Sequence, residues 1–442
     1  MTTDLASTAR EIVRRLHAAG FAAFWVGGCV RDFLLGREPQ DYDIATNALP
    51  AAVEQLFAHT IPVGRQFGVV VIVEQGTQFQ IATFRAEADY RDGRRPVTVV
   101  FADARADALR RDFTVNGLFY DPLVRQLHDW VDGRADLQAR LIRTIGIPAE
   151  RFAEDHLRLL RAVRFAAQLQ FEIHPETLAA IRALAPAIER VSAERIREEL
   201  QKLFAPPHAA RGLVLLRDSG LLAPVLPELA ATLECLQSPD YHPEGTVFEH
   251  LRLMLEQLPP DAGQSLVWAV LLHDIGKPPT AQTDPATGAI HFYGHERIGA
   301  DIAHALLQRL RFPKKQTAEI TACVRHHMQF KDVRQMRRAT LRRMLLRETF
   351  PLELALHRLD CLGSHGSLDH YEFMRAQSAE LEQTPALRPP LLNGRDLIAL
   401  GIKPGEAMGR LLHEVRERQL QGDLTTPAEA RAWAGQWLSE QD

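Results

Sequence analysis

The sequence has few cysteines, little net charge and no long apolar run. Its four cysteines are far apart and include no Cys-x-x-Cys pair, which argues against a structural zinc site or a redox motif. The 52 Lys and Arg residues nearly balance the 56 Asp and Glu residues, so a nucleic-acid partner would need a local basic patch. The longest apolar run, residues 266–272, is too short to span a membrane, and residues 1–20 lack the pattern of a secretion signal. We expect a cytoplasmic protein with reduced thiols and no membrane contact.

Composition and patterning predict a multidomain globular protein of the α+β class. Its 442 residues, 46% hydrophobic and 24% charged, suffice for several buried cores and exclude a mostly disordered chain. Short β-like runs alternate with turns as far as residue 145, whereas the pattern from about residue 149 onward is helical. We expect a small N-terminal sheet domain followed by an all-helical neck, body and tail. The expected strands lie at 21–26, 41–46, 69–76, 79–85 and 97–101, and the expected domains at 1–145, 146–225, 226–380 and 381–442.

Residues 24–46 combine a glycine turn with a pair of acids. The pattern predicts a strand, a turn at Gly27 and Gly28, a short helix, and a second strand that carries Asp41 and Asp43. Two glycines let backbone N–H groups approach an anion at a helix N-terminus, and Arg31 lies one turn further on. Carboxylates two apart on a strand share a face and can hold divalent cations. The alternative is a simple tight turn beside a solvated strand end.

This string resembles the signature of the nucleotidyltransferase superfamily in its bacterial class II branch, which contains tRNA CCA-adding enzymes and poly(A) polymerases. The resemblance implies that Asp41 and Asp43 bind Mg²⁺ and activate a primer 3′-hydroxyl for attack on the α-phosphate of a nucleoside triphosphate. It also implies that Gly27, Gly28 and Arg31 bind the triphosphate.

Residues 110–122 resemble the motif with which this family holds the ribose and triphosphate. The resemblance gives those roles to Arg111, Asp112 and Asn116. The family usually has Asn-Ala where this chain has Asn116-Gly117, and we expect no loss of function from that change. Without the other motifs, this segment would be an ordinary surface cluster of charges.

Residues 153–169 are expected to form one amphipathic helix with Asp155 and Arg158 inside its apolar arc. Spacing alone favours a simple salt bridge between the two. The resemblance implies instead that they select C or A by hydrogen bonds to the edge of the incoming base. Arg161 and Arg164 follow on the same helix and are included among the nucleotide-binding residues. Residues 194–200 resemble the next family motif, which braces this helix, and so give Arg195 a supporting role.

Two further segments narrow the activity by resemblance. Residues 83–114 match the flexible loop that CCA-adding and A-adding enzymes possess and CC-adding enzymes lack. Residues 63–70 resemble the tRNA-specific branch more than the bacterial poly(A) polymerases. Composition alone would make the first of these segments a surface loop.

The helical body carries an ordered series of histidines and acids. Its members are His250, His273, Asp274, His295, His326, His327 and Asp360. Imidazole and carboxylate groups suit divalent metals, although any single histidine could be structural. The series resembles the HD superfamily of metal-dependent phosphohydrolases over roughly residues 240–365. The resemblance implies one or two divalent metal ions of unknown identity, which would activate water against a phosphate ester. A vestigial helical spacer is the alternative, and the sequence does not decide between His326 and His327.

Two segments near the C-terminus could face RNA. Residues 331–348 hold seven Lys and Arg against two acids, which suits phosphate contacts or equally a solvated helix face. Residues 391–434 resemble the C-terminal tail of many bacterial tRNA nucleotidyltransferases, and an intramolecular packing module is the alternative.

The combined resemblance predicts template-independent addition or repair of the 3′-CCA end of tRNA from CTP and ATP, with additional metal-dependent phosphohydrolase activity in the HD domain. An A-adding enzyme or a poly(A) polymerase would keep the same fold. An HD phosphohydrolase with an inactive head is the alternative from another class.

Overall fold

The structure, a computed structural model, describes residues 4–61, 68–86, 100–238, 242–383 and 389–439. Residues 63–67 of the segment 63–70 and residues 87–99 of the segment 83–114 lie outside these ranges. The chain divides into two compact units, residues 1–204 with 211–227 and residues 205–210 with 228–442. Within the described ranges, none of the helices combines the length and apolarity that a membrane-spanning segment needs.

The first unit begins with a mixed sheet. Its elements are α1 Leu5–Ala18, β1 Ala23–Val26, α2 Gly28–Leu34, β2 Asp43–Thr46, α3 Pro50–Leu56, β3 Thr60–Ile61, β4 Val69–Glu74, β5 Thr77–Thr83, β6 Arg85–Ala86, β7 Val100–Phe101, α4 Ala104–Leu109, β8 Phe119–Asp121, β9 Gln126–His128, α5 Gly133–Ala139 and β10 Leu141–Ile142. Seven strands form one sheet in the order β3-β4-β5-β2-β1-β8-β9, in which β2 and β5 are parallel and the other neighbours antiparallel. The predicted α+β class is confirmed.

Apolar packing fixes the strand ends that carry the acids and the glycine turn. Val26 and Ala45, from the central pair of strands, are buried in one cluster with Phe84 and Phe119. The register places Val26 opposite Asp43. The turn that follows β1 and the acid that opens β2 therefore lie side by side at one edge of the sheet.

The rest of the first unit is mainly helical. Its elements are α6 Pro148–Glu154, α7 Leu157–Leu169, β11 Glu172–Ile173, α8 Pro175–Leu184, α9 Ala193–Leu203, α10 Ala209–Asp218, α11 Leu222–Val225 and, across the boundary with the second unit, α12 Pro227–Ala230. The single helix expected over 153–169 is wrong, because Asp155 is extended (φ −149°, ψ 104°) and separates α6 from α7. Its carboxylate accepts a hydrogen bond of 3.1 Å from the N–H of Leu157, the first residue of α7.

The second unit consists of helices with one short hairpin. Its elements are α13 Val247–Glu256, α14 Gln264–Leu272, α15 Lys277–Thr280, β12 Gln282–Thr283, β13 Ile290–His291, α16 His295–Arg309, α17 Lys314–His326, α18 Arg338–Leu345, α19 Phe350–Gly363, α20 Asp369–Glu382, α21 Gly394–Ala399, α22 Glu406–Gln421 and α23 Pro427–Ser439. Residues 266–272 of α14 are all buried, so the longest apolar run is a core helix. Its end carries His273 and Asp274 into the interior of the unit.

The C-terminal helices have a core of their own and dock on α18. Arg342 donates a 2.8 Å hydrogen bond to the carbonyl of Leu420, in the last turn of α22, and Arg343 pairs with Glu417. Basic groups near the C-terminal end of a helix offset the partial negative charge there. At least these two arginines of the basic segment 331–348 therefore serve intramolecular packing.

Candidate functional site

Two arginines crowd the glycine turn between β1 and α2. Gly27 has φ +72°, and a Cβ atom there would lie 3.2 Å from Nη1 of Arg111. A Cβ atom on Gly28 would lie 3.7 Å from Nη2 of Arg31. The contact at Gly27 is tight and the one at Gly28 is ordinary, so the missing side chain matters mainly at Gly27. Two guanidinium groups and the first N–H groups of α2 thus lie close to the turn, as binding of an anionic phosphate would require.

Asp41 and Asp43 stand beside this turn with exposed side chains, separated by the buried Tyr42. Although Asp43 reaches solvent, surrounding protein desolvates its carboxyl group and raises its pKa to about 6. The negative charge of Asp41 adds to this rise in pKa, and Arg111 opposes it. Two neighbouring exposed acids fit a hard divalent cation, which prefers oxygen ligands.

Asp112 and Asn116 are brought to the same site, but both make contacts within the protein. One oxygen of the buried Asp112 accepts hydrogen bonds from Arg161 at 2.8 and 2.5 Å, and the other accepts one from Asn116 at 3.3 Å. Asn116 in turn accepts a 2.8 Å hydrogen bond from Arg31. Burial alone would raise the pKa of Asp112, but Arg161 and these hydrogen bonds outweigh burial and lower it. The residues form a chain from the glycine turn to α7.

Arg161 and Arg164 extend this chain to α9. Nε of Arg164 lies 2.6 Å from a carboxylate oxygen of Glu199, and Nη1 of Arg161 lies 3.8 Å from the other oxygen. Glu199 and Arg164 are 4% and 8% exposed. This geometry gives Arg164 a buried ion pair inside the helical part of the unit.

Asp155 and Arg158 lie at the junction of α6 and α7, each with a partner. Arg195 of α9 donates to both oxygens of Asp155 at 3.2 and 2.7 Å. Arg158 pairs with Glu154 and donates a 2.9 Å hydrogen bond to the carbonyl of Arg151. Arg195, which was expected to brace this helix, thus contacts Asp155 directly.

Sequence reasoning missed Asp107, which pairs with Arg111 of the glycine turn and with the neighbouring Arg110. It is 1% exposed and pairs with Arg110 at 2.5 Å and with Arg111 at 3.0 Å. The i, i+3 and i, i+4 spacing of Asp107 and the two arginines that follow α4 was the available signal.

In the second unit, the predicted histidines and acids form a buried cluster. Nε2 of His273 lies 3.2 Å from one oxygen of Asp274, while the other oxygen lies 3.5 Å from His295 and 3.6 Å from His327. Nε2 of His250 lies 3.1 Å from Asp360. The cluster contains two candidate ligand triads that share Asp274, namely His250, His273, Asp274 and Asp274, His295, His327.

The geometry also separates the two adjacent histidines at the end of α17. His327 is 5% exposed and lies 3.1 Å from His295. His326 instead lies 3.1 Å from the buried carboxylate of Glu353, outside the cluster. Only His327 of this pair can therefore contribute to a metal centre here.

The donor atoms fit a divalent metal. Nε2 of His250 and of His273 are buried without an aligned hydrogen-bond partner, and neutral imidazole with carboxylate is a common ligand set. Burial would raise the pKa of Asp274, but His273 and Lys277 lower it far more. Sequence reasoning missed Lys277, whose Nζ lies 2.7 Å from Asp274. The signal was its position three residues after Asp274.

A cavity of 710 Å³ opens beside this cluster. Asp274, His295, His327 and Asp360 line it together with Lys277. Its other walls include the aromatic side chains of Phe292, Tyr293 and Phe330. The cluster is therefore accessible to a small molecule or to a chain end.

Three families match successive parts of the chain. The Poly A polymerase head domain matches residues 23–143, the "Probable RNA and SrmB- binding site of polymerase A" residues 170–233, and the HD domain residues 241–360. The resemblance drawn from the motifs is confirmed.

Relatives and solved structures agree with these families. The chain is 35% identical to an A-adding tRNA nucleotidyltransferase of Deinococcus radiodurans, over 94% of this chain and 95% of the relative. It is 46% identical to a CCA-adding enzyme of Geobacillus kaustophilus, over 51% of this chain and 56% of that relative, so this match spans about half of each. The crystal structure of the Bacillus stearothermophilus CCA-adding enzyme in complex with CTP covers 100% of this chain and 99% of its own, with 28% identity and a TM-score of 0.75.

The raised pKa of Asp43 predicts how stability depends on pH. Because its pKa in the folded protein, about 6, exceeds the ordinary value of 3.8, ionisation of Asp43 opposes folding as pH rises through this range. Asp43→Asn should therefore raise the midpoint of thermal unfolding at pH 7.5 in EDTA, and the gain should vanish below about pH 4. Thermal unfolding followed from pH 4 to 8 measures the difference.

Asp103→Asn is the matched control, because Asp103 is an exposed cap of α4 and Asn caps helices equally well. If the stability gain of Asp43→Asn persisted at pH 4, or if there were no gain at pH 7.5, the raised pKa of Asp43 would be contradicted.

Proposed function

The chain belongs to the tRNA nucleotidyltransferase family, and we propose that it builds or repairs the 3′-CCA end of tRNA from CTP and ATP without a nucleic-acid template. The observation that carries the proposal is the side-by-side arrangement of Asp41 and Asp43 with the glycine turn and its two arginines. We propose a head at 1–145, a neck at 146–225, an HD domain at 226–380 and a tail at 381–442, and a cytoplasmic location.

The head would carry out nucleotidyl transfer. Asp41 and Asp43 would hold Mg²⁺, which would supply positive charge for the attacking 3′-hydroxyl and the departing pyrophosphate. Arg31 and Arg111 would bind the triphosphate at the glycine turn, next to which each guanidinium group lies. In-line attack of the tRNA 3′-oxygen on the α-phosphorus then forms the new phosphodiester bond as the bond to pyrophosphate breaks.

The neck would select the base. Asp155 and Arg158 would present hydrogen-bonding groups to the edge of C or A, and Arg195 would hold the Asp155 carboxylate in place. The nucleotide would also depend on the linked side chains of Asp112, Asn116 and Arg161. These would contribute to binding by fixing the distance between the triphosphate-binding turn and the base-reading pair. Arg164 would support α7 from behind through Glu199.

Two other activities would use the same chemistry as CCA addition. Addition of only the terminal A is the second candidate, because the relative that matches 94% of the chain is named an A-adding enzyme. A poly(A) polymerase would use the same residues. The three differ in which RNA ends they extend and by how many nucleotides.

Incorporation assays on tRNA transcripts test this proposal. Transcripts that end before C, after C and after CC are incubated with Mg²⁺ and CTP, ATP or both, and product length is read on a sequencing gel. We expect each transcript to gain the missing nucleotides and no more. Asp41→Ala and Asp43→Ala should each reduce incorporation by at least about 100-fold, because the cation that stabilises the transferring phosphate is lost.

The control variant is Asp103→Asn, which should leave incorporation unchanged. Extension confined to ends after CC would make the protein an A-adding enzyme, and long A tails would make it a poly(A) polymerase. Full incorporation by both Ala variants would refute the assigned metal site. No incorporation by the unaltered protein would leave an HD phosphohydrolase with an inactive head.

The HD domain supports a second activity, hydrolysis of phosphate esters. The histidines and acids of the cluster, among them the two candidate triads that share Asp274, would hold one or two divalent cations. Such cations supply a metal-activated water at neutral pH. Lys277 would add positive charge for the phosphate, and the adjoining cavity admits the ester.

His327 and His326 provide a matched pair of variants for this activity. His327→Ala should lower metal-dependent hydrolysis of bis(p-nitrophenyl) phosphate by at least about 10-fold, because a direct ligand is lost. His326→Gln should retain hydrolysis, because His326 pairs with Glu353 outside the cluster. Equal hydrolysis by the protein and its Asp274→Ala variant would make the HD domain a structural spacer.

A further inference from the structure

The histidines of the HD cluster share one arrangement of their two ring nitrogens. Each turns Nε2 toward the centre and Nδ1 toward an outer acceptor. Nδ1 of His273, His295 and His327 lies 2.9, 2.7 and 2.7 Å from the backbone carbonyl of the residue three positions earlier. A carbonyl oxygen only accepts, so each Nδ1 carries the hydrogen and each Nε2 keeps its lone pair for a cation.

His250 is the exception among these four, because its outer acceptor is a side chain. Its Nδ1 lies 2.8 Å from a carboxylate oxygen of Glu244, whose side chain is 6% exposed. The same oxygen lies 2.9 Å from Nδ1 of His242. A carboxylate that accepts from a metal-binding histidine fixes the ring orientation and makes the other nitrogen more basic.

Local structure aims Glu244 at this histidine. Thr246 caps α13, and His250 lies in the first turn of that helix, with its N–H bonded to the Thr246 carbonyl at 3.1 Å. Gly245, with φ +97°, lets the chain turn so that the preceding residue reaches along the helix. Glu244 and His250 are therefore held by the same capped helix start.

We propose that Glu244 is a positioning residue for the HD metal centre. Its carboxylate accepts the Nδ1 hydrogen of His250 and so holds Nε2 of that histidine toward the cation. The inference rests on the proposed HD function. His242, Glu244 and His250 also form a candidate ligand group of their own. Because the Glu244 oxygen already lies at hydrogen-bond distance from Nδ1 of both histidines, we assign it the outer role and not that of a ligand.

Binding of Mn²⁺ to the full-length chain tests the proposal. The measurements use the Asp41→Ala/Asp43→Ala background, so that the head acids do not contribute, with calorimetry for affinity and electron paramagnetic resonance for the number of bound ions. Glu244→Ala should weaken Mn²⁺ affinity by roughly 10- to 100-fold with the number of bound ions unchanged. Glu244→Gln should lose less affinity, since its amide oxygen can still accept from Nδ1 of His250.

Two controls separate positioning from other roles. Glu249→Gln removes an acid on the same helix that pairs with Arg252, and it should leave Mn²⁺ affinity unchanged. His242→Ala should also keep every bound ion. Circular dichroism checks that each variant is folded.

Three outcomes would overturn the inference. Unchanged affinity in Glu244→Ala would show that Glu244 has no role in the centre. Loss of one bound ion in both Glu244→Ala and His242→Ala would make Glu244 a ligand of a separate cation. If Asp274→Ala left Mn²⁺ binding unchanged, or if the protein bound no Mn²⁺, the cluster would not be a metal centre. The proposed HD function would then fail as well.

Discussion

Asp112 is buried and forms an ion pair with Arg161, whose side chain remains partly exposed. Taking the Asp112 carboxylate out of water has a cost, which close geometry and further hydrogen bonds must offset. Both are present, because Arg161 donates twice to one oxygen of Asp112 and the other oxygen accepts from the Phe113 N–H at 2.9 Å and from Asn116. The pair joins the segment that follows α4 to α7, so the proposed triphosphate-binding turn and the proposed base-reading residues keep a fixed separation. A single pocket that serves two nucleotides, as proposed, would need that rigidity.

The HD cluster solves the same problem of buried charge in a different way. Asp274 is surrounded by Lys277 and three histidines, all buried, and Nε2 of both His250 and His273 lacks an aligned partner. Buried polar atoms without partners are costly unless a ligand satisfies them. A divalent cation is that ligand in the present account. Asp41 and Asp43 of the head are exposed, whereas most of the candidate ligands of the HD cluster are buried.

The sequence was sufficient for features that depend on local chemistry. The strands expected at 21–26 and 41–46 are present as Ala23–Val26 and Asp43–Thr46, so Asp41 precedes β2 and the expectation that both acids lie on the strand is wrong. The glycine turn follows from backbone freedom. The order of histidines and acids likewise indicated the HD cluster. What could not be predicted depends on distant partners. The helix break at Asp155 follows from the N–H of Leu157 and from Arg195, and the choice of His327 over His326 follows from Glu353. The ion pair of Arg164 with Glu199 joins residues on two separate helices.

The central claim is that Asp112 and Arg161 act as one unit that fixes the nucleotide site. A double-mutant cycle with Asp112→Asn and Arg161→Gln, measured as kcat/KM for CTP addition to a tRNA transcript, tests it most directly. The account predicts that each single change lowers kcat/KM and that the double variant is little worse than the poorer single one, with a coupling energy of about 1 to 3 kcal/mol. Effects that add to within about 0.5 kcal/mol would contradict it.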